Sequence, residues 1–356
     1  MQQTVEATKL DLTKLKSLIT AKPFTPHKLF RNGHAQTIAN QVWLRRRQRL
    51  LNSARSDEAR LFRVESNAEV LVHCRWQEHR NRHPTMLLVH GLEGSSESIY
   101  MLGTGHKAFA AGFNVLRMNM RNCGGTEHLT TTLYNSGMTA DIEAVINELI
   151  LHDSLQQIFL VGFSMSGNMI LRVVGEGGAE LPTGIRAACA VSPAVDLAAC
   201  AAMLETKSNW IYRQKFVRSL RRRMRRKKEL YPELYEIDEL KKVRSVREFD
   251  ARYTVTHGGY RDVADYYARA SSLSYIKGIQ RPTLIIHAQD DPFIPFDAFR
   301  DPSITSNPYI VSLLPQHGGH VGFVSENGRG EDRFWAENRV VEFCRYVYEQ
   351  EAANPY

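Results

Sequence analysis

"IFLVGFSMSGNMILR", residues 158–172, runs from an apolar stretch into Gly162-Phe163-Ser164-Met165-Ser166-Gly167. A nucleophilic serine on a strand-to-helix turn is usually framed G-x-S-x-G, and here Ser166 stands where the last glycine would be. The triplet alone carries little weight. Gly94-Ser95-Ser96 is a second G-x-S in the same chain, and a chain of this length and average composition holds roughly two by chance. The surroundings must decide whether Ser164 is a nucleophile.

On both sides of this stretch the chain alternates between apolar runs and helical periodicity. "TMLLVHG" (85–91) reads as a buried strand, 98–111 as a helix, "FNVLRMNMR" (113–121) as a strand. "TADIEAVINELILHD" (139–153) places Ile142, Val145, Ile146, Leu149 and Ile150 at helical spacing. "QIFLVGFS" then reads as a strand, about 165–175 as a helix, and "IRAACAVSP" (185–193) as a further strand. Strands that are apolar throughout, alternating with helices, form a parallel sheet covered on both faces. "ARLFRVE" (59–65) and "EVLVHCRW" (69–76) precede it and read as antiparallel edge strands.

The alternation stops at 198–275, which is charged, helical and without a strand signal, and resumes with "RPTLIIHAQDDPFIP" (281–295) and "YIVSLLPQHGGHVGF" (309–323) before a last helix. Four parts follow. Residues 1–58 are an N-terminal extension, 59–197 and 276–356 the two parts of an α/β core, and 198–275 a helical cap inserted between two strands. In the extension, Arg45-Arg46-Arg47 reads as a solvated helix face.

Composition narrows the class. The chain has 356 residues, 43% hydrophobic, with no apolar run near the roughly 20 residues a spanning helix needs. The first 20 residues alternate charged and apolar side chains, without an apolar leader core or cleavage site. A soluble, cytoplasmic protein is expected. The five cysteines, Cys74, Cys123, Cys189, Cys200 and Cys344, lack both metal-ligand and disulfide-framework spacing and are expected to be free and buried. Ten of the 46 Lys and Arg fall in "RQKFVRSLRRRMRRKK" (213–228), and the other 36 are outnumbered by 38 acids. The net charge of +8 is therefore local.

Ser164 follows a strand and precedes a helix, which sets its oxygen above the sheet edge at a positive helix end. Such a serine needs a base oriented by an acid, in the chain order Ser, Asp, His. "QDDPFIP" offers Asp290 and Asp291 just past a late strand; Asp291, extended by the following Pro292, is favoured. "PQHGGHVGF" offers His317 and His320; His320 lies beyond two glycines that free the loop to reach across, and is favoured. The anion formed on an attacked carbonyl would be held by the backbone N–H groups of Met165 and Leu92. His90 falls too early in the chain to be the base and reads as structural. Behind the nucleophile only a small side chain fits, so Ser166→Gly is expected to be neutral and Ser166→Leu severe.

"GFSMSGN", "HGLEGSS", "NMRNCGGTE" and "GGHVGF" resemble motifs of the α/β-hydrolase superfamily. More narrowly, residues 249–291 and "NGHAQTI" (32–38) resemble the AB hydrolase 4 family, the YheT-like hydrolases, over roughly residues 25–345. The resemblance implies an α/β-hydrolase fold with a helical cap and a charge-relay triad at Ser164, Asp291 and His320. It implies esterase, phospholipase or acyltransferase activity on short to medium acyl chains. Ser166 departs from the family glycine. Some animal members carry an N-terminal membrane anchor, which this sequence does not offer.

The expected activity is serine carboxylic-ester hydrolysis of a small-molecule acyl ester through an acyl-enzyme, with no metal or cofactor. Transfer of the acyl group to an alcohol is the second enzymatic reading. A binding protein that uses the basic helix for nucleic acid is the third, disfavoured by the ordered Ser, Asp and His. The basic run 213–228 reads as a solvated cap face or as a peripheral contact with anionic membrane.

Overall fold

The computed structural model describes residues 12–39, 44–326 and 330–353. The expectation for the first eleven residues lies outside the described residues, as do the side chains of Arg45 and Arg47.

Eight strands form one sheet: β1 (Glu58–Glu65), β2 (Ala68–Arg75), β3 (Thr85–Val89), β4 (Asn114–Met118), β5 (Ile158–Phe163), β6 (Ile185–Val191), β7 (Thr283–Ile286) and β8 (Ile310–Leu313). Their order is β1-β2-β4-β3-β5-β6-β7-β8. β1 and β2, and β2 and β4, are antiparallel, and every other neighbouring pair is parallel. Only β1 is the edge expected of the first two strands. β2 is interior, paired on both sides, and accordingly carries the buried Val70, Val72 and Cys74.

Side chains alternate faces along a strand. Met86 and Leu88 of β3, with Phe159, Val161 and Phe163 of β5, enter one core, while Leu87, Val89, Ile158 and Leu160 enter the other. Both faces are therefore covered, and the strands read as unbroken apolar runs. Four N-terminal helices are α1 (Leu12–Thr20), α2 (Gly33–Ala39), α3 (Leu44–Ser53) and α4 (Ile99–Ala110). They are followed by α5 (Thr139–Leu151) and α6 (Met165–Gly177). Between β6 and β7 lie α7 (Leu197–Leu204), α8 (Trp210–Leu230), α9 (Val246–Phe249), α10 (Val255–Gly258) and α11 (Val263–Ala270). Last come α12 (Pro302–Thr305) and α13 (Trp335–Ala353). Residues of α5 and α6 pack with Leu87 and Ile158, while α1, α4 and α13 pack with Met86 and Phe159.

Two expectations are corrected. Arg46 is not solvated: it is buried, its guanidinium stacks on Phe334, and it pairs with Glu337 at 2.5 Å. Nor is the whole basic run a solvated face, since Arg223 and Lys227 of α8 are buried. All five cysteines are free and buried, with Cys189 Sγ and Cys344 Sγ 3.7 Å apart between β6 and α13.

Candidate active site

β5 ends at Phe163 and α6 begins at Met165, so Ser164 carries the whole reversal. It does so at φ 57° and ψ −118°, a region costly for a residue with a Cβ and typically held only by dense surroundings. The surroundings here are tight. A Cβ on Gly162 would overlap the Ser166 carbonyl, and one on Gly91 would lie 3.0 Å from Ser164 Cβ. Ser164 N–H donates to the Val191 carbonyl at 2.9 Å, which ties the turn to β6.

Ser166 does more than fit. Its hydroxyl donates to the Val89 carbonyl at 2.6 Å and accepts from Phe163 N–H at 2.8 Å, fully buried. It links β3 and β5 to the first turn of α6. The expectation that this residue matters only for its size is corrected, because its hydroxyl fastens the turn.

The structure brings Ser164, His320 and Asp291 into one hydrogen-bonded line. Ser164 Oγ lies 2.9 Å from His320 Nε2, and His320 Nδ1 lies 2.9 Å from Asp291 Oδ2. Asp291 Oδ1 accepts from the N–H groups of Phe293 and Ile294 at 2.8 and 3.1 Å. Burial raises the Asp291 pKa, but His320, His287 and the Phe293 N–H outweigh it and hold the carboxyl below its ordinary value. Asp290 and His317 point elsewhere, toward each other: Asp290 Oδ2 lies 3.1 Å from His317 Nδ1 and its Oδ1 accepts from Gly319 N–H at 2.9 Å. Gly319 needs its glycine, since it sits at φ 58° with Gly33 and Thr37 against it.

Leu92 and Met165 border the same narrow cavity, roofed by Leu220 and Arg223 of α8 and by Val246 and Phe249 of α9. The cavity volume is about 30 Å³. His90 is buried, with Nδ1–H donating to the Gly91 carbonyl at 2.8 Å and Nε2 accepting from Met120 N–H at 3.1 Å. Burial pushes it down to about 4, so it is a neutral brace for the loop before Leu92.

Residue-by-residue reading missed three supports of this site. Glu93, at φ 56°, is gripped from the insertion: Arg223 Nε donates to it at 2.8 Å, Ser219 Oγ also donates, and Tyr134 OH does so at 2.8 Å. The strong charge pair outweighs burial and keeps the Glu93 carboxyl low. Arg223 and Glu93 lie 130 positions apart, and no local pattern announces the contact. Secondly, "NGHAQTI" is a brace. Thr37 Oγ1 donates to the Gly33 carbonyl at 2.6 Å and accepts from His320 N–H at 2.9 Å. The buried Gln36 side-chain amide bonds both the N–H and the carbonyl of Val324. The signal was present in the motif, but its purpose was not. Thirdly, the buried His287 stacks on Phe299 at 3.8 Å, with Nδ1 3.9 Å from Asp291 Oδ2. Burial lowers its pKa to about 4. Among the described residues no three His, Cys, Asp or Glu gather as metal ligands would.

A family described as alpha/beta hydrolase fold matches residues 84–326. A candidate esterase of Escherichia coli (strain K12), YheT, is 31% identical over 336 residues, covering 93% of this chain and 95% of that protein. Monoacylglycerol lipase of Saccharomyces cerevisiae (strain ATCC 204508 / S288c) is 33% identical over 273 residues, covering 74% of this chain and 59% of that one. Phospholipase ABHD3 of Mus musculus is 31% identical, covering 68% and 58% respectively. The chain thus spans under two thirds of the latter two. Among solved structures, 2,6-dihydroxy-pseudo-oxynicotine hydrolase superposes with a TM-score of 0.54 at 14% identity, over 89% of this chain and 78% of that one. That likeness concerns the fold, whereas the likeness to YheT runs nearly end to end in both proteins. It places the chain in the α/β-hydrolase fold family, as a member of its YheT-like branch, the AB hydrolase 4 family.

Proposed function

We propose that this chain, an ester-cleaving α/β-hydrolase, works through an acyl-enzyme formed on Ser164. His320 Nε2 takes the Ser164 proton as Oγ attacks the ester carbonyl, and Asp291 orients the imidazolium that results. The carbonyl oxygen becomes an anion, received by Leu92 N–H and Met165 N–H, the latter at the positive end of α6. His320 then gives its proton to the leaving alkoxide. Water, deprotonated by the same histidine, attacks the acyl-enzyme, and the acid leaves as Ser164 regains its proton. The observation that carries this reading is the Ser164–His320–Asp291 line, with both distances 2.9 Å, at a strained turn on the carboxyl edge of the sheet.

Short to medium acyl esters are the proposed substrates. The cavity beside Leu92 and Met165 is small and closed by α8 and α9, so a long chain would have to displace the insertion. An alcohol could replace water as acceptor by the same steps, and the ratio of acid to new ester formed in the presence of an alcohol measures that directly. The proposal is tested with p-nitrophenyl esters from acetyl to palmitoyl and a fluorophosphonate probe. Expected are turnover falling with chain length, labelling of Ser164 alone, and loss of both in Ser164→Ala. Labelling of another serine, or undiminished turnover in Ser164→Ala, would overturn it.

A further inference from the structure

Helix α8 is divided by its periodicity into two unlike faces. Val217, Leu220, Met224, Arg223 and Lys227 turn inward. Ile211, Lys215, Arg218, Arg222 and Arg225 recur at intervals of four and three and lie along the opposite face, all exposed. Between Trp210 and Lys228 the helix holds no acid. Arg218, Arg222 and Arg225 have no carboxylate within ion-pair distance among the described residues. Arg221 belongs to neither face: half-buried, it donates to the carbonyls of Lys241 and Val243 at 2.8 and 2.6 Å.

The amino end of this face is apolar. Ile211 is 71% exposed and Trp210 55%, unusual for side chains of that size in water. The adjoining Tyr212 stacks on His34 of α2, and Ile38, one turn along α2 from His34, is exposed as well. Tyr212 also packs on Phe293, whose ring touches that of His320, each at 4.6 Å between centroids. The apolar end of the face is therefore two rings from the candidate nucleophile's histidine.

We propose that this face is a docking surface for an anionic lipid bilayer, with Trp210, Ile211 and Ile38 in the headgroup layer and the Ser164 entrance turned toward it. A row of cations ending in exposed tryptophan and isoleucine matches an interface that is anionic at its surface and apolar beneath. Nucleic acid would use the cations but not the isoleucines, and the aromatic residues of α8 among the cations, Tyr212 and Phe216, turn to the core. Among the described residues no helix is long and apolar enough to cross a membrane, so the contact is peripheral. It rests on the esterase reading only for its purpose, and Ser164→Ala is expected to bind like the wild type.

The test is co-sedimentation with phosphatidylcholine vesicles, with and without phosphatidylserine, at low and high salt. Wild type is expected to bind only the phosphatidylserine vesicles, and less at high salt. Arg218→Gln/Arg222→Gln/Arg225→Gln is expected to bind on the order of a hundredfold more weakly. Ile211→Ser/Trp210→Ser should weaken binding at both salts, while Arg345→Gln, on α13 and paired with Glu349, should not. The surface variants, unlike Ser164→Ala, should hydrolyse a water-soluble p-nitrophenyl ester as the wild type does, which separates lost docking from lost folding or chemistry. No binding to phosphatidylserine vesicles, equal binding by the triple variant, or preferential capture of the face by a DNA or RNA oligonucleotide would overturn the proposal.

Discussion

Replacing Ser166 by glycine restores the common G-x-S-x-G spacing, yet the structure requires that it destabilise the protein. The side chain is fully buried, so water cannot replace what is lost. Two hydrogen bonds disappear, one to the Val89 carbonyl and one from Phe163 N–H. At about 1 kcal/mol each, and more where a buried partner is left unpaired, they sum to about 2 kcal/mol. Glycine in α6 adds about 0.5 kcal/mol of backbone entropy over serine. Ser166→Gly is thus expected to unfold about 2–3 kcal/mol more easily. Ser166→Ala, which keeps the Cβ, should recover only the backbone part. Hydrolysis of a soluble p-nitrophenyl ester should persist in both, because Ser164, His320 and Asp291 are untouched. Urea unfolding followed by tryptophan fluorescence, alongside activity, measures each quantity. A midpoint in Ser166→Gly at or above that of the wild type would refute the reasoning, as it would show that the hydroxyl holds nothing. Ser166→Leu, by contrast, should not fold, with its side chain driven into Val89 and Phe163.

Thr37→Val removes the acceptor that holds His320 N–H and should lower kcat about tenfold with little change in KM, since a slight misplacement of a catalytic group is costly; Thr37→Ser should restore it, and equal kcat in the two variants would show that the hydroxyl does not position His320. Asp250 is buried, which raises its pKa from 3.8 to about 6 against the hydrogen bonds from Thr254 and Tyr267. The folded state keeps this proton to higher pH than the unfolded one, so the associated stability is fullest below about 4 and lost as pH rises through about 6, by about 3 kcal/mol. Asp250→Asn should therefore narrow the fall in urea midpoint between pH 4 and pH 7.5; a fall equal to that of the wild type would show that Asp250 ionises freely in the folded protein.

What was legible in the sequence was whatever repeats within a few residues. Continuous apolar runs gave the parallel strands, since both sheet faces are covered and no polar alternation survives. The boundaries were less visible. "FNVLRMNMR" leaves the sheet after Met118, where Asn119 turns to bond Ser96 and Leu71, and apolar Met120 continues the pattern only because the loop is buried. Asp291 and Asp290 are equally acidic neighbours, and so are His317 and His320 equally plausible bases; what separates them is which faces Ser164. The loop makes two parallel His–Asp pairs, and only one reaches the serine. Arg46, Arg223 and Lys227 look from the sequence like members of solvated runs. They are buried because partners far along the chain wait for them: Glu337, Glu93, and the carbonyls of Glu127 and Thr130.

These distant pairs share a logic. The groups around Ser164 come from opposite ends of the chain, and each is steadied by a segment outside the sheet. The N-terminal α2 holds the His320 loop through Thr37 and Gln36. The insertion holds the Leu92 loop through Arg223 and Glu93. A buried charge pair contributes little net stability over an apolar substitute, but removing one partner strands the other. What such a pair does supply is a fixed register between two surfaces that apolar packing alone would let slide. Arg223 thus sets α8 at one height above Leu92, and with it the roof of the cavity and the tilt of the outer cationic face. The roof of the cavity and the outer cationic face are in this way carried by one helix, and its inward arginine is the point at which both are tied to the loop after β3.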